Sequence, residues 1–170
     1  MMAWICDRGD TPADVLALAL YPRNELLKDQ LRVLVSYALQ LQSVGGGEPV
    51  SLATWFGPTP HSANLVREDK ADGWRKTSHG HICPFLRCPD LACEGDLVWP
   101  SRELKNGVEL LRCITCGTEI PGSVLRLTRE SARTHPARVM LSTTESLNRQ
   151  LSSPGNLRAF GVLGNSLRAV

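Results

Sequence analysis

Apolar residues in the first third of the chain follow two different periods. Residues 15–21 form a continuous apolar run that Pro22 ends, as is typical of a strand buried on both faces. From Asn24 to about residue 42, apolar residues recur at spacings of three and four, which predicts an amphipathic helix ending at the glycines 45–47. Residues 50–56 predict a second strand. This strand–helix–strand order predicts a parallel α/β unit. The residues expected on the buried face of the helix are Leu27, Leu31, Leu34, Ala38 and Leu41.

The pattern changes between about residues 81 and 122, where cysteine, proline and glycine accumulate and helical periodicity is lost. Two short strands are predicted at 96–100 and 108–112, with a hairpin tip at 105–107, because Asn-Gly favours such turns. After Gly122 the α/β pattern returns. A strand is predicted at 138–142, followed by a helix that Thr143 or Thr144 caps and that ends before 153–155. Residues 61–80 predict no clear element, and 167–170 predict the start of a further strand.

Length and composition limit the classes of protein. A chain of 170 residues is long enough for one domain with a small module, and its 42% hydrophobic and 21% charged residues are typical of a folded protein. The net charge of +2 is too small to indicate a nucleic-acid or membrane partner by itself. No apolar run approaches the roughly 20 residues of a membrane helix, and the N-terminus lacks the layout of a signal peptide. We therefore expect no membrane association and a cytoplasmic location.

Five of the six cysteines crowd between residues 83 and 116, whereas Cys6 stands apart. Tight cysteine clusters in a chain without a signal peptide indicate a metal site rather than disulfides. Two pairs about 20 residues apart, each suited to a tight turn, give the four thiolates that structural zinc accepts. Four protein ligands leave no open position, so the predicted zinc is structural rather than catalytic. The predicted ligands are Cys88, Cys93, Cys113 and Cys116.

Several alternatives to this ligand set stay open at the level of sequence. Cys83 can replace Cys88 or be a free thiol, and His79 and His81 can compete as ligands. Some of these cysteines can also be ordinary buried residues without a metal.

Three segments together resemble superfamily 2 helicases of the DEAD/DEAH type. Residues 19–31, ALYPRNELLKDQL, resemble motif Ia, and residues 50–60 resemble the segment after it, with the turn Phe56-Gly57. Residues 137–148, ARVMLSTTESLN, resemble motif Ib, with Thr144 where that motif usually has proline. Residues 157–170 resemble the approach to the DEAH box. Cysteine insertions between such motifs are found in large bacterial helicases, including ones linked to DNA modification and phage defence.

This resemblance implies a RecA-like first motor domain with a partial parallel sheet and an inserted zinc ribbon. It divides the chain into residues 1–78, the zinc-ribbon insertion 79–122, and the continuation 123–170. It also implies binding of a nucleic-acid backbone, DNA in preference to RNA, at the turns after two parallel strands, where helix N-termini face phosphates. The residues implied in that binding are Pro22, Arg23, Asn24, Thr143 and Thr144.

The chain does not contain a phosphate-loop motif or an Asp-Glu-x-His motif. We therefore expect ATP and Mg²⁺ to be bound only by an intact motor, with its remaining parts supplied elsewhere, for example by an adjacent chain. The alternatives are a stand-alone zinc-ribbon module that binds nucleic acid or protein, and a nonfunctional gene remnant.

Two further groups of side chains have both a functional and a structural interpretation. A basic stretch either extends the nucleic-acid path or is a solvated face, and three tryptophans either stack on bases or pack in the core. The basic stretch is Arg126, Arg129, Arg133 and Arg138, and the tryptophans are Trp55, Trp74 and Trp99.

Overall fold

The structure, a computed structural model, describes residues 15–44 and 50–161. Its first sheet has four strands, in the spatial order β1 (Ala17–Tyr21), β9 (Val139–Thr143), β2 (Leu52–Trp55) and β8 (Leu125–Arg126). All neighbouring strands of this sheet are parallel. The predicted α/β class and its parallel sheet are thereby confirmed. Cys6 and the strand predicted at 167–170 lie outside the described residues.

Helix α1 (Asn24–Val44) covers one face of the parallel sheet and confirms the predicted helix. Its buried residues are Leu27, Leu31, Val35 and Ala38. Leu34, also predicted on this face, is half-buried and packs against the core, whereas Leu41 is 40% exposed, so the predicted face was wrong at Leu41. Successive residues advance by about 100° around a helix, so the observed set centres the buried stripe between Leu31 and Ala38 and leaves Leu34 and Leu41 on its margin.

The other face of the sheet is covered by α4 (Arg129–Thr134) and a 3₁₀ turn at Arg158–Phe160. Side chains of a strand alternate between faces, and in β9 Val139 packs on the α1 side while Met140 packs on the other. Trp55 contacts Phe160 there, with ring centroids 5.3 Å apart. Burial on both faces explains why these strands are almost continuously apolar in sequence.

The second sheet is antiparallel and has five strands in sequential order. They are β3 (Arg75–Thr77), β4 (Gly80–Arg87), β5 (Asp96–Pro100), β6 (Leu110–Cys113) and β7 (Glu119–Pro121). β5 and β6 pair as predicted, but the predicted hairpin tip was wrong. A helical turn, α3 (Ser101–Lys105), lies between the two strands, and Gly107, at φ 71°, follows its end. Two more elements, α2 (Ala63–Arg67) and β3, lie where the sequence pattern gave no prediction.

The two sheets share one apolar core, in which aromatic residues form the contact. The ring centroid of Phe85, in β4, lies 5.7 Å from that of Phe56, which follows β2, and 5.9 Å from that of Trp74. Trp74 in turn lies 5.9 Å from Trp99 of β5. Trp55, Trp74 and Trp99 are all buried, which supports packing in the core rather than stacking on bases. The division of the chain at residues 78 and 122 stays a prediction.

After β9 the chain continues as helix α5 (Thr144–Leu151) and then a short helix, α6 (Pro154–Leu157). Thr143, not Thr144, is the N-cap, since its hydroxyl accepts a hydrogen bond from the backbone N–H of Ser146 at 3.3 Å. Within residues 15–44 and 50–161, no helix combines the length and the apolar character required to cross a bilayer.

Candidate metal centre

Two cysteine loops meet at one end of the antiparallel sheet. The first follows β4 and runs from Cys88 to Cys93, and the second begins at Cys113, the last residue of β6. β5 pairs with both β4 and β6, and its register places Leu97 opposite Cys113, so the two loops emerge side by side. The sheet thereby brings together cysteine pairs that are separated by about 20 residues in sequence.

Backbone hydrogen bonds close each loop. In the first, the N–H of Cys88 donates to the carbonyl of Gly95 at 3.1 Å, and that of Cys93 donates to Asp90 at 3.0 Å. In the second, the N–H of Cys113 donates to Thr118 at 2.8 Å, and that of Gly117 donates back to Cys113 at 3.1 Å. Gly117 adopts φ 78°, a left-handed conformation that glycine enters without steric cost.

The four sulfur atoms form a compact group. The Sγ atoms of Cys88, Cys93, Cys113 and Cys116 all lie within 4.8 Å of one another. The Cys88–Cys116 distance is 3.5 Å and the Cys93–Cys113 distance is 3.7 Å. A tetrahedral zinc site with Zn–S bonds of about 2.3 Å separates its sulfurs by about 3.8 Å. These residues therefore lie close enough to hold one metal ion, with distances that fit zinc.

Hydrogen-bond donors surround the sulfurs, as thiolate ligands require. The backbone N–H of Gly95 points to Cys93 Sγ and that of Thr115 to Cys113 Sγ, both at 3.4 Å. The hydroxyl of Thr118 lies 3.1 Å from Cys116 Sγ, and this contact, with the Thr118 backbone N–H, lowers the pKa of Cys116 to about 6. Burial acts oppositely on Cys88 and raises its thiol pKa.

The competing ligand candidates lie outside this group. Cys83 lies inside β4, where burial raises the pKa of its thiol to about 12. His81 Nε2 instead lies 2.8 Å from a carboxylate oxygen of Asp69, and His79 is exposed. All five described cysteines are free of disulfide bonds. The structure thus brings together the four cysteines chosen from spacing, and leaves Cys83 apart.

Arg32 of α1 contacts the first cysteine loop. The sequence pattern did not predict this contact. Its Nε donates to the carbonyl of Cys88 at 2.7 Å, and its Nη2 donates to the carbonyls of Asp90 and Cys93 at 3.1 and 2.9 Å. Its Nη1 lies 3.2 Å from the carboxylate of Glu94. In sequence Arg32 looks like the other charged residues on the helix surface, and no local pattern distinguishes it.

A second polar contact joins the antiparallel sheet to the parallel one. The Glu109 carboxylate accepts hydrogen bonds from the backbone N–H groups of Leu127 and Thr128, both at 3.1 Å. It also accepts from the hydroxyls of Thr128 and Ser131 at 2.9 and 2.7 Å. Glu109 therefore fixes the start of α4 against the segment before β6. Sequence analysis gave no role to Glu109.

The two turns expected to bind nucleic acid lie side by side. Tyr21 is the register partner of Thr143, so the carboxyl ends of β1 and β9 are adjacent at one edge of the parallel sheet. Arg23 is exposed, and no acidic side chain in the described part of the chain lies within ion-pair distance of it. Thr143 differs, since it is buried and its hydroxyl caps α5. The other residues implied in that binding, Pro22, Asn24 and Thr144, are exposed.

The basic stretch does not form a continuous exposed strip. Arg126 and Arg129 donate to backbone carbonyls, of His135 and Phe56 respectively, and Arg138 is 7% exposed. Burial lowers the pKa of Arg129, whose guanidinium lies over the Trp55 ring at 5.8 Å. Of the four arginines, only Arg133 is exposed. This arrangement favours structural roles for three of them.

Comparisons with protein-family models, with curated proteins and with solved structures give no significant match to this chain.

Proposed function

We propose that this chain is a zinc-binding α/β domain in which four thiolates hold the antiparallel sheet in its folded form. The observation that carries the proposal is the convergence of four cysteine sulfurs within 4.8 Å of one another. A shell of four thiolates is typical of structural zinc. It fills all four coordination positions of the metal, so that none is left for a water nucleophile. The chemistry that zinc supplies here is cross-linking of two loops rather than catalysis.

The form of the antiparallel sheet explains why a metal is needed there. Two of its strands, β3 and β7, are only three residues long, and the cysteine loops extend beyond its paired region. The apolar side chains within the two loops, Leu91 and Ile114, are 69% and 50% exposed. The loops themselves therefore bury little apolar surface, and metal bonds replace part of a core there. We therefore infer that zinc binding and folding of this sheet are coupled.

The metal content of the purified chain tests this proposal. We expect one zinc ion per chain by elemental analysis, and loss of zinc when Cys88 or Cys113 is replaced by serine. Cys83→Ala is the matched control, since it removes a buried cysteine of the same sheet that lies outside the group. A chain with no bound metal, or one whose metal depends on Cys83, would refute the assignment. Iron in place of zinc would change the metal and keep the four-thiolate site.

The second candidate function is binding of a nucleic-acid backbone, as a segment of a DNA or RNA helicase motor. The adjacent ends of β1 and β9 and the exposed Arg23 support it, together with the resemblance of residues 19–31 and 137–148 to helicase motifs. Ligands of open parallel sheets bind beyond the carboxyl ends of the strands. In this proposal, ATP and Mg²⁺ belong to the intact motor and not to this chain alone.

Salt-dependent binding of single-stranded DNA and RNA tests the second candidate. We expect the affinity to fall steeply with salt and to weaken in Arg23→Ala, while Arg87→Ala, which removes an arginine of the antiparallel sheet, leaves it unchanged. If the affinity for nucleic acid is unchanged in Arg23→Ala but is lost on zinc chelation, a zinc-ribbon module is favoured instead. A chain that stays unfolded with zinc present would favour a gene remnant.

A further inference from the structure

Resting on the proposed zinc site, we infer that Arg32 is a positioning residue for the metal, which holds the first cysteine loop in its ligand geometry from outside the antiparallel sheet. Arg32 lies on α1, 56 residues before Cys88 in sequence. Its guanidinium nevertheless bonds the carbonyls of two predicted ligands, Cys88 and Cys93, and of Asp90 between them.

Each cysteine loop is closed by two backbone hydrogen bonds of its own, but the two loops differ in length. The second loop has two residues between its cysteines and is closed by its own short backbone bonds at Cys113 and Gly117. The first has four residues between Cys88 and Cys93, and a longer loop has more conformations to lose when its two sulfurs are fixed. Arg32 supplies three further hydrogen bonds to this longer loop.

The geometry of the contact suits arginine in particular. The guanidinium is planar and carries five N–H donors in a fixed fork, so one side chain can bond carbonyls that face it from several directions. Three of these donors are used on the loop backbone, and a fourth faces Glu94. The Arg32 side chain is only 20% exposed, which reduces competition from water for these bonds. A lysine ammonium is a point charge on a flexible stem and cannot reproduce this fork.

Positive charge at this place also suits a thiolate site. Zinc with four thiolates carries a net charge of −2, and Arg32 bonds the peptide groups of two of the ligands. Residues that orient metal ligands from outside the coordination shell typically change metal affinity by about 10- to 100-fold when they are replaced. Arg32 differs from most such residues in that it acts on backbone carbonyls rather than on ligand side chains.

Zinc affinity of the full chain, measured by competition with a chromogenic chelator, tests the inference. We expect Arg32→Ala to lower the affinity by about 10-fold or more. We expect Arg32→Lys to recover little of it, because the fork is lost although the charge is kept. Lys28→Ala is the matched control: it removes a positive charge one turn earlier on the same helix, where its partner is Glu25 and not the loop.

Two further readouts separate positioning from general stability. In the Co²⁺-substituted chain, the absorption bands report the symmetry of the thiolate shell, and we expect them to shift in both Arg32 variants. If Arg32→Ala does not fold without metal, the Arg32→Lys variant is used instead. Its melting temperature is measured with and without zinc, and the rise on zinc addition reports how strongly the metal is bound. We expect that rise to be smaller than in the unaltered chain, whereas a purely structural role lowers both melting temperatures equally.

The outcomes distinguish the inference from the proposal on which it rests. An unaltered chain that binds no metal refutes the zinc site itself. A chain that binds zinc with the same affinity and Co²⁺ spectrum in all variants keeps the site and refutes the role of Arg32. Full recovery by Arg32→Lys would refute the requirement for the fork, since charge alone would then be sufficient.

Discussion

Gly95 lies against the predicted metal ligands and has no room for a side chain. A Cβ atom at this position would lie 2.6 Å from Cys113 Sγ and 2.6 Å from Thr115 Oγ1. Nonbonded atoms are in favourable contact at about 3.5–4.0 Å, so both approaches are roughly 1 Å too short. The backbone of Gly95 is also in use, since its N–H points to Cys93 Sγ and its carbonyl accepts from Cys88. The residue can therefore not move away from Cys113 without disturbing the first cysteine loop.

We predict that Gly95→Ala weakens zinc binding more than it destabilises the metal-free chain. Without metal, the Cys113 side chain can rotate away from the added methyl group. With zinc bound, its sulfur is fixed by coordination, and the overlap must be relieved by strain. Overpacking of this kind costs about 1–3 kcal/mol. If that cost falls on the metal-bound state, zinc affinity drops by about 5- to 150-fold.

The assay is chelator competition on Gly95→Ala, with thermal unfolding of the metal-free chain measured in parallel. Gly155→Ala is the control for the change from glycine to alanine, because a Cβ there meets no atom within 4 Å. We expect the control to keep the zinc affinity of the unaltered chain. Equal zinc affinity in Gly95→Ala would show that Cys113 is not fixed by a metal at this position, and the four-thiolate geometry would be refuted.

Three further predictions concern the contacts between elements and the pH dependence of the site. Glu109→Ala should lower the free energy of unfolding, measured with denaturant, by roughly 2–4 kcal/mol, because several hydrogen bonds to a charged acceptor are lost. Glu130→Ala, which removes an exposed carboxylate, should change that free energy little. Thr143→Ala should cost about 1 kcal/mol in the same measurement through loss of the α5 cap, and Thr144→Ala less. Zinc affinity should fall as pH is lowered, because protons compete for the thiolates. Cys116, with its pKa lowered to about 6, should keep its thiolate to a lower pH than Cys88, whose thiol pKa is raised by burial. Zinc affinity that rises on acidification would contradict the thiolate assignment.

Local sequence pattern predicted most of the parallel sheet. The strands around residues 17–21, 52–55 and 139–143 are continuous apolar runs because both of their faces are covered, and such runs are visible without knowledge of their neighbours. Helix α1 was visible for the same reason, through its period. The turns after β1 and β9, more than a hundred residues apart, were expected to lie together only through the resemblance to helicase motifs. The direct pairing of the two strands was not predicted, since apolar pattern alone does not indicate which strands are neighbours.

The antiparallel sheet was predicted less well. Its short strands give weak periodicity, and β3 has two exposed residues out of three, so that no apolar pattern marks it. The helical turn α3 was missed because Asn106-Gly107 has the composition of a tight hairpin turn but follows a helix end instead. The longer connection between β5 and β6 is held by a hydrogen bond from Trp99 Nε1 to the carbonyl of Val108, at 2.9 Å.

The sequence by itself determined the chemistry of this protein: which residues offer thiolates, their spacing in two pairs, and the apolar runs that become buried strands. Only the tertiary structure decided which thiols meet, since Cys83 and Cys88 are five residues apart and differ in position only because β4 ends between them. It alone also decided that Arg32 joins α1 to the first cysteine loop and that Glu109 joins the antiparallel sheet to the start of α4. The physical reason is that spacing along a chain specifies short-range geometry, whereas contacts across 56 or 18 residues depend on how complete elements pack.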